Sequence, residues 1–512
     1  MMMRQRGRDA VIALLVSLVL GWVLQAPVYA QDGASYSPEK RRAQQERPHG
    51  GQRGEPDQRR EPAPITLPGD VAALDRLSLV LGRPTGTSVT ISVLSAGAIE
   101  AYIEYGLAAG GEIRKTAVFS APAGAPVEVL LDKLTSDRAY AYRLFHRQPG
   151  AAQFVAGKKY NFHTARAPGS KFVFEIQGDS HPERSRQFSA DAYAQTLRLA
   201  AADAPDFYLT IGDDFSVDTL SNINAQTVTQ RYLLQRPFLA LVARSAPLFL
   251  VNGNHEQAAA YNLDGTPDNV AVWAQTARNR VFPQPAPDGF YTGDKTTVPF
   301  IGLLRDYYAW TWGDALFVVI DPYWHSKENV SGGGNKARDL WSVTLGDEQY
   351  RWLKQTLESS KAKYKFVFTH HVLGTGRGGI ELAGLYEWGG KDRRGEGQFA
   401  QRRPGWALPI HQLMVKNGVT IFFQGHDHLF ARQQLDGVIY QTLPSPANPF
   451  EDQRSFAASY LTGDVLTGIG RVRVTVAPEK VRVEYVRTGP AGDQAKPAAD
   501  GEIAFAYEVT PS

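Results

Sequence analysis

The sequence predicts a small all-β sandwich followed by a larger α/β domain. At 512 residues the chain exceeds the size of one ordinary hydrophobic core, so two folded domains are expected. From about 74 to 164, short alternating apolar segments are separated by Gly and Pro, a pattern typical of β-strands. From 171 onward, apolar runs alternate with helical stretches, which favours an α/β sheet whose loops carry a site.

The N-terminus resembles a secretory signal. Three arginines precede an apolar run over 11–24, and small or tolerated residues end at Ala30, before Gln31. This run is shorter than the roughly 20 residues that span a bilayer. A signal peptide over 1–30, cleaved at about Ala30/Gln31, is therefore favoured over a stable membrane anchor, and the protein is expected to be secreted or periplasmic.

Composition narrows the chemistry that the chain can perform. Residues 31–66 are rich in Gln, Arg and Pro and poor in large apolar side chains, which predicts a disordered linker. The chain contains no cysteine, which excludes disulfides, thiol catalysis and thiolate metal ligands. The net charge of +3 is small for this length and argues neither for nor against nucleic-acid binding; no nucleic-acid partner is predicted. The oligomeric state stays open.

An all-β domain is predicted over 67–166. The segment from Leu134 to Tyr142 resembles the tyrosine corner of fibronectin type III sandwiches. Nothing in this domain looks catalytic, so we expect a packing or positioning role. Its clearest strand patterns lie at 88–94, 99–105, 127–131, 139–145 and 159–163.

An α/β domain is predicted over 167–512, with its final strands completing a second sheet. Helices are expected at 190–202, 230–243, 347–360 and 409–417. The closing strands are expected at 470–476, 480–487 and 502–509.

Five apolar segments of this second domain each run directly into a polar cluster. Sites form beyond the carboxyl ends of strands in open α/β sheets, and side chains two apart in an extended segment share one face. One such cluster alone would more often be surface decoration, but five in succession indicate one metal site with oxygen and imidazole ligands. The clusters are Asp179-Ser-His181, Asp213-Asp214, Asn254-His255-Glu256, His370-His371 and His426-Asp-His428.

The order of these clusters resembles that of calcineurin-like metallophosphoesterases, over about 170–445. The resemblance implies a double β-sheet sandwich flanked by helices and two metals bridged by the carboxylate of Asp213. It implies that one metal is held by Asp179, His181, Asp213 and His428. It implies that the second is held by Asp213, Asn254, His370 and His426.

A fibronectin-like domain before such a catalytic domain is similar to the layout of purple acid phosphatases. Those enzymes have a tyrosine three positions after the bridging aspartate, and its phenolate binds ferric iron; this chain has Ser216 there. It also has His181, where that subfamily has a non-ligand. We therefore predict two divalent-leaning metals (Mn, Fe, Zn or Co) and no strong visible charge-transfer band.

The resemblance also suggests a mechanism in which Asp213 and His255 are catalytic. Two metals roughly 3.5–4 Å apart can activate a shared water and neutralise charge on phosphorus, so we predict attack on a phosphate ester by metal-bound hydroxide. His255 would face the leaving oxygen and protonate it. His370 is preferred over His371 as the ligand; His371 would then be a second donor near the substrate or a packed side chain.

Two other segments have open interpretations. The Gly- and Arg-rich stretch over 377–406 is consistent with an electropositive lid in which Arg393 and Arg394 bind substrate, or with a solvated loop. The aromatic-rich stretch over 289–312 could stack a nucleobase, although core packing is the better default.

The function predicted from these residues is a phosphomonoesterase or nucleotidase acting on small phosphate esters. A phosphodiesterase or nucleotide pyrophosphatase with the same site is the close alternative. A secreted binding protein with structural metals is the alternative from another class. Structural sites usually close their coordination, which argues against the last of these.

Overall fold

A computed structural model of the chain describes residues 65–328, 339–374, 376–449, 456–489 and 499–511. The predicted signal peptide and nearly all of the predicted linker lie outside these residues. Within the described ranges, none of the helices combines the length and apolar character needed to cross a membrane.

The N-terminal part is a sandwich of two antiparallel sheets preceded by helix α1 (Gly69–Arg76). Its strands are β1 (Leu77–Gly82), β2 (Val89–Ser95), β3 (Ile99–Leu107), β4 (Arg114–Lys115), β5 (Phe119–Ala121), β6 (Val127–Leu131), β7 (Ala139–Arg147) and β8 (Val155–His163). One sheet has the order β1-β2-β6, and the other has the order β4-β3-β7-β8 with β5 also paired to β3. A separate apolar core fills the space between the sheets.

The corner expected from the Leu134–Tyr142 segment forms. The backbone N–H of Thr135 donates a 2.8 Å hydrogen bond to the Tyr140 hydroxyl, which ties the loop to the start of β7. Together with the two antiparallel sheets, this contact confirms the predicted fibronectin type III-like sandwich.

The second part contains two larger sheets and a small hairpin. Its strands are β9 (Phe172–Gln177), β10 (Phe207–Thr210), β11 (Leu248–Leu250), β12 (Thr292–Gly293), β13 (Thr297–Val298), β14 (Gly302–Leu303), β15 (Tyr308–Trp312), β16 (Ala315–Val319), β17 (Tyr364–Phe368), β18 (Ile421–Gln424), β19 (Phe430–Leu435), β20 (Val438–Thr442), β21 (Asp464–Leu466), β22 (Gly470–Val476), β23 (Val481–Arg487) and β24 (Ile503–Val509). One sheet has the order β11-β10-β9-β22-β23-β24. The other has the order β12-β15-β16-β17-β18-β20-β19-β21, and β13 pairs with β14.

The helices are α2 (Ala190–Ala202), α3 (Ala225–Ala243), α4 (Val270–Val281), α5 (Gly346–Ser359), α6 (Ile380–Ala383), α7 (Tyr386–Gly389), α8 (Phe399–Arg402) and α9 (Ile410–Lys416). Short 3-10 turns lie at Ala260–Asn262 and Leu340–Ser342. Helices α2 to α4 contribute to an apolar cluster beside the six-stranded sheet, whereas α5 to α7 and α9 contribute to one beside the eight-stranded sheet.

A core dominated by aromatic rings joins the facing sides of the two sheets. Phe174 of β9 contacts Phe317 of β16 and Phe366 of β17 across this space, with ring centroids 5.2 and 5.6 Å apart. The central strands are buried on both faces, which explains their near-continuous apolar sequences. The predicted double sheet flanked by helices is confirmed.

The aromatic-rich stretch over 289–312 belongs to this core. Tyr291, Tyr308, Trp310 and Trp312 are all buried there, and Trp310 stacks on Phe249 with ring centroids 4.2 Å apart. These rings are therefore packed between the sheets, in agreement with the preferred interpretation of core packing rather than nucleobase stacking.

Two helices differ from expectation for identifiable reasons. Helix α3 begins at Ala225 rather than at 230, because Asn224 and Thr227 form a reciprocal capping box at its start. Helix α4 was not predicted. Its Gln275 and Arg278 are fully buried and bonded to loop carbonyls, so the usual separation of polar and apolar faces is missing from its sequence.

A buried arginine joins the sandwich to the second domain. Arg236 of α3 donates to the Ser78 hydroxyl at 2.9 Å, to the Ser92 carbonyl at 2.8 Å and to the Val281 carbonyl. The side chain is completely buried, so these bonds replace the water that the guanidinium loses. The contact fixes β1 and β2 against α3.

Candidate metal centre

The five polar clusters meet at the carboxyl ends of five strands. They follow β9, β10 and β11 in one sheet and β17 and β18 in the other, so the loops converge where the two sheets come together. Six side chains form two groups in which the candidate ligand atoms lie within 4.8 Å of one another. The groups are Asp179, His181 and His428, and Asp213, His370 and His426.

Short contacts join potential ligand atoms within and between these groups. His428 Nε2 lies 3.1 Å from Asp179 Oδ2, and His370 Nε2 lies 3.1 Å from both Asp213 Oδ2 and His426 Nδ1. A 4.0 Å approach of His370 Nε2 to Asp179 Oδ2 connects the two groups. The two groups are therefore adjacent parts of one continuous cluster of candidate ligands.

Unsatisfied polar atoms point to cations as the missing partners. His181 Nε2 and Asn254 Oδ1 are buried without a hydrogen-bond partner among the described residues, and Asp179 Oδ2 contacts His428 without hydrogen-bond geometry. Leaving such an atom unpaired costs roughly 1–3 kcal/mol. Imidazole nitrogen and carboxylate or amide oxygen are the donors that borderline divalent metals accept, so this donor set fits such metals.

Neighbouring groups orient the imidazole rings. His181 Nδ1 lies 3.2 Å from the Ser216 hydroxyl and 3.4 Å from Glu183 Oε1, which leaves Nε2 for a metal. His370 Nδ1 lies 3.0 Å from the Ile211 carbonyl, so its Nε2 faces Asp213. Such contacts fix the ring and its tautomer.

His371 is oriented differently from His370. Its Nε2 lies 3.1 Å from the Gly378 carbonyl, and its Nδ1 accepts a 3.4 Å hydrogen bond from the backbone N–H of Leu373. Both ring nitrogens are thus engaged by backbone, and burial lowers the pKa of His371 to about 4. This arrangement supports His370 as the ligand.

The backbone is unusual at four of the candidate ligands. His181, Asp213, His426 and His428 have φ values of 45°, 52°, 70° and 56°, in the left-handed region that non-glycine residues rarely adopt. Conformations of this kind persist where surrounding contacts impose them, and they cluster at functional sites. Here they turn four side chains toward one point.

Glycines allow the loops to approach closely. A Cβ added to Gly253 would lie 2.2 Å from Asp213 Oδ1, and one added to Gly425 would lie 2.7 Å from Asp179 Oδ1. Any side chain at these two positions would displace a candidate carboxylate ligand. Glycine at these two positions therefore permits the close approach of the loops.

The carboxylates of the centre are held ionised. Although burial opposes ionisation, His370 and His255 hold the pKa of Asp213 well below its usual value, and His428 and His370 lower the pKa of Asp179. The same attraction outweighs burial at His370, where Asp213 and Asp179 raise the pKa to about 10. A bound cation would take the place of that proton.

Two other imidazoles are kept neutral, as metal ligands must be. Burial, reinforced by the Arg184 charge, holds the pKa of His181 well below its usual value. Burial, reinforced by His371, does the same for the pKa of His426. Ionised carboxylates beside neutral imidazoles are the protonation states that favour metal binding.

His255 lies beside the centre, and a neighbouring carboxylate holds its ring in place. Its Nδ1 lies 2.8 and 3.0 Å from the two oxygens of Asp218, and its Nε2 lies 3.9 Å from Asp213 Oδ2. Its backbone N–H donates to Asp213 Oδ1 at 2.8 Å. Burial opposes the proton on His255, but Asp213 and Asp218 prevail and raise its pKa.

The family model for calcineurin-like phosphoesterases matches residues 174–430, half of the chain, and this span contains every candidate ligand. The chain belongs to the calcineurin-like phosphoesterase family. It is a metal-dependent phosphoester hydrolase. Among curated proteins, no match was found.

One solved structure shows the same fold as this phosphoesterase, and two others match it more weakly. The structure titled "Structure of PhoD" is 16% identical with a TM-score of 0.61, covering 88% of this chain and 92% of that one. GAP50, the anchor in the inner membrane complex of Plasmodium, is 13% identical over 67% of this chain and 89% of its own, with a TM-score of 0.36. An FN3 domain of human collagen XX is 25% identical over 17% of this chain and 86% of its own, with a TM-score of 0.15. The last two scores are too low to carry an argument.

Sequence reasoning missed several supporting residues of the phosphoesterase. Asp218 follows Asp213 by five residues, and that spacing was the available signal. Glu183 comes two residues after His181, and its Oε1 accepts a 2.9 Å bond from the Ser216 backbone. Glu256 accepts from the Asp214 and Gly253 backbones at 2.8 and 2.9 Å, and so ties two site loops together.

The basic stretch over 377–406 only partly resembles a lid. Arg403 pairs with Glu387 at 2.6 Å and donates to the Trp341 carbonyl, so it is a structural residue. Arg393 and Arg394 are exposed in a tight turn. In the part of the chain that the structure describes, no side-chain contact joins either of them to the metal centre, and their binding of substrate stays a prediction.

Proposed function

We propose that this phosphoesterase is a secreted, binuclear phosphomonoesterase acting on small phosphate esters, nucleotides among them. One observation carries the proposal: two groups of ligand side chains lie side by side, and the His255–Asp218 pair stands at their edge. A pair of cations neutralises an anionic phosphoryl group, and a neighbouring acid assists the leaving group.

Seven side chains would hold the metals. One position would take Asp179, His181, Asp213 and His428, and the other would take Asp213, Asn254, His370 and His426. When bound, the pair would supply charge neutralisation and an activated water. Asn254 would contribute its amide oxygen, which is buried and unpaired, without adding negative charge beside an anionic substrate.

The proton for the leaving oxygen would come from His255. Because Nδ1 is engaged by Asp218, the outward proton is on Nε2, which faces Asp213 at the centre. Asp218 and Asp213 both favour the protonated ring, the form that a general acid needs at the start of the reaction. Asp213 would therefore both bridge the metals and support the acid.

The metals are proposed to be divalent, from Mn, Fe, Zn or Co. Ser216 stands where a phenolate ligand would favour ferric iron, and its hydroxyl instead contacts His181 at 3.2 Å. Elemental analysis of the pure protein should find about two such metals per chain, without a strong visible absorption band. An intense charge-transfer band would contradict the proposal.

Secretion is proposed from the first 30 residues of the sequence. Full-length protein expressed in a bacterial host should accumulate outside the cytoplasm with a new N-terminus at about Gln31. Recovery of intact chain in the cytoplasmic or membrane fraction would contradict this part of the proposal. The enzymatic part would be unaffected.

The function is tested with metal-loaded protein and matched panels of monoesters, diesters and pyrophosphates. We expect turnover of monoesters, loss of both metal and rate in Asp213→Asn, and retention of metal with a rate lowered about 10²–10⁴-fold in His255→Asn. His146→Asn, the same change within the β-sandwich, is the control. Turnover of diesters or pyrophosphates alone would replace the monoesterase by the alternative hydrolases, and metal binding without turnover would favour a binding protein.

A further inference from the structure

Arg184 lies at the edge of the metal centre, one hydroxyl away from a candidate ligand. Its Nε and Nη2 atoms donate to the Ser216 hydroxyl at 3.1 and 2.6 Å, and that hydroxyl lies 3.2 Å from His181 Nδ1. The Arg184 side chain is 24% exposed, so the guanidinium is held by Ser216 and is still partly open to solvent.

The guanidinium keeps donor capacity for a ligand. Of its five N–H groups, two donate to Ser216 and one makes a long 3.4 Å bond to Gln187 among the described residues. Glu183 Oε1 lies 3.5 Å from Nε, but this carboxylate also contacts His181 and accepts from the Ser216 backbone. Because Glu183 divides its contacts among Arg184, His181 and the Ser216 backbone, it neutralises the positive charge of Arg184 only in part.

Arg184 lies at the same edge of the centre as two histidines. The Ser216 hydroxyl joins its guanidinium to His181 Nδ1. The rings of His181 and His255 are 5.4 Å apart between centroids. A phosphoryl group that reaches His255 from the metal centre thus comes within the field of this guanidinium.

The chemistry of phosphate esters makes a third cation discriminating. A monoester presents three non-ester oxygens and a second negative charge, whereas a diester carries a carbon substituent in place of one of these oxygens. Two metals would bind some of the three non-ester oxygens. A guanidinium is suited to an oxygen that the metals leave free, because its planar fork matches phosphate oxygens. A carbon substituent at that position would take away the acceptor to which the guanidinium donates, and the favourable interaction would be lost.

We propose that Arg184 is a phosphate-binding residue that selects phosphomonoesters over phosphodiesters by donating to a terminal phosphoryl oxygen. The inference rests on the proposed function of the same centre and names its substrate class. Ser216 positions the guanidinium, so the residue that departs from the purple-acid-phosphatase pattern acquires a role in anchoring Arg184.

The test compares Arg184→Met and Arg184→Lys with Arg186→Met, an exposed arginine on the same loop. Steady-state kcat/KM is measured for one aryl monoester and one aryl diester, and calorimetry measures binding of inorganic phosphate to the metal-loaded protein. For Arg184→Met we expect about a 10–100-fold loss with the monoester, a similar weakening of phosphate binding and less than about a 3-fold change with the diester. Arg184→Lys should restore part of the phosphate affinity, and Arg186→Met should match wild type.

Metal content of each variant separates binding from structure. Equal losses on both ester classes, or loss of a metal from Arg184→Met, would show that Arg184 only positions Ser216 and His181, and would overturn the proposal. Wild-type phosphate affinity in Arg184→Met would overturn it as well. If the wild-type enzyme hydrolyses no monoester, the proposed function fails. Comparison of phosphate binding between the variants and wild type still decides whether Arg184 binds phosphate.

Discussion

Asp218→Asn tests the acid directly, because it keeps the shape of the side chain and removes its charge. Two contacts of 2.8 and 3.0 Å support His255, and both side chains are about a quarter exposed (22% and 28%). A hydrogen bond to a charged group contributes roughly 1.5–3 kcal/mol, and partial exposure places this pair at the lower end. We therefore expect kcat/KM to fall about 10–30-fold.

The pH profile gives a second readout for the same variant. Asp218 helps Asp213 to raise the pKa of His255 against the effect of burial. Removing its charge lowers the pKa of His255, and since a general acid must be protonated, the basic limb of the kcat/KM profile should move to lower pH. Metal content should stay at the wild-type value, and Asp268→Asn, the same change at an exposed loop residue, should alter neither readout. An unchanged rate and pH profile in folded, metal-loaded Asp218→Asn would refute the role of His255 as a supported acid.

Three further predictions concern stability. Arg236→Met should lower the free energy of unfolding by about 2–4 kcal/mol in denaturant titrations, because the Ser92 carbonyl and a second carbonyl lose their buried donor; the exposed Arg280→Met is its control, and equal stability of the two variants would contradict the prediction. Burial, reinforced by Asp306, raises the pKa of Asp294 to about 6, so its stabilising contribution is present below about pH 4 and is lost as pH rises through about 6. The free energy of unfolding of Asp294→Asn should accordingly exceed that of wild type by about 1–3 kcal/mol at pH 8, and the two should be equally stable at pH 4. A difference in unfolding free energy that does not change with pH would contradict the assignment. Removal of metals by a chelator should lower the melting temperature, since a ligand at 1,000 times its Kd stabilises by about 4 kcal/mol, and Asp213→Asn should not respond to the chelator.

Much of the site could be predicted from sequence because each candidate ligand directly follows an apolar strand. A buried strand can be recognised by its apolar composition, and functional groups lie at the carboxyl ends of the strands in such sheets. The positions of Asp179, Asp213 and His370 follow from that rule. Helix α2 likewise matched its predicted range of 190–202, because Ser189 caps its start and apolar residues recur at helical spacing.

Other features depend on contacts between distant segments. Helix α4 could not be recognised because its buried Gln275 and Arg278 are satisfied by loop carbonyls that only the folded chain brings near. The stretch over 377–406, for which a lid and a solvated loop were both left open, met the same difficulty, since Arg403 is paired with Glu387. A charge in a sequence does not reveal its partner.

The sequence alone determined the fold class, the order of the strand-end clusters and the residue types that suit metal ions. The tertiary structure decided which side chains support them: Asp218 beneath His255, Glu183 and Ser216 behind His181, and Arg184 beside them. These roles arise from loop conformation, including the left-handed backbone at His181 and Asp213, which local propensity does not favour. The apolar pattern of a strand or helix can be recognised from residues that are close in the sequence. The partner of a polar side chain is set by residues that become neighbours only on folding.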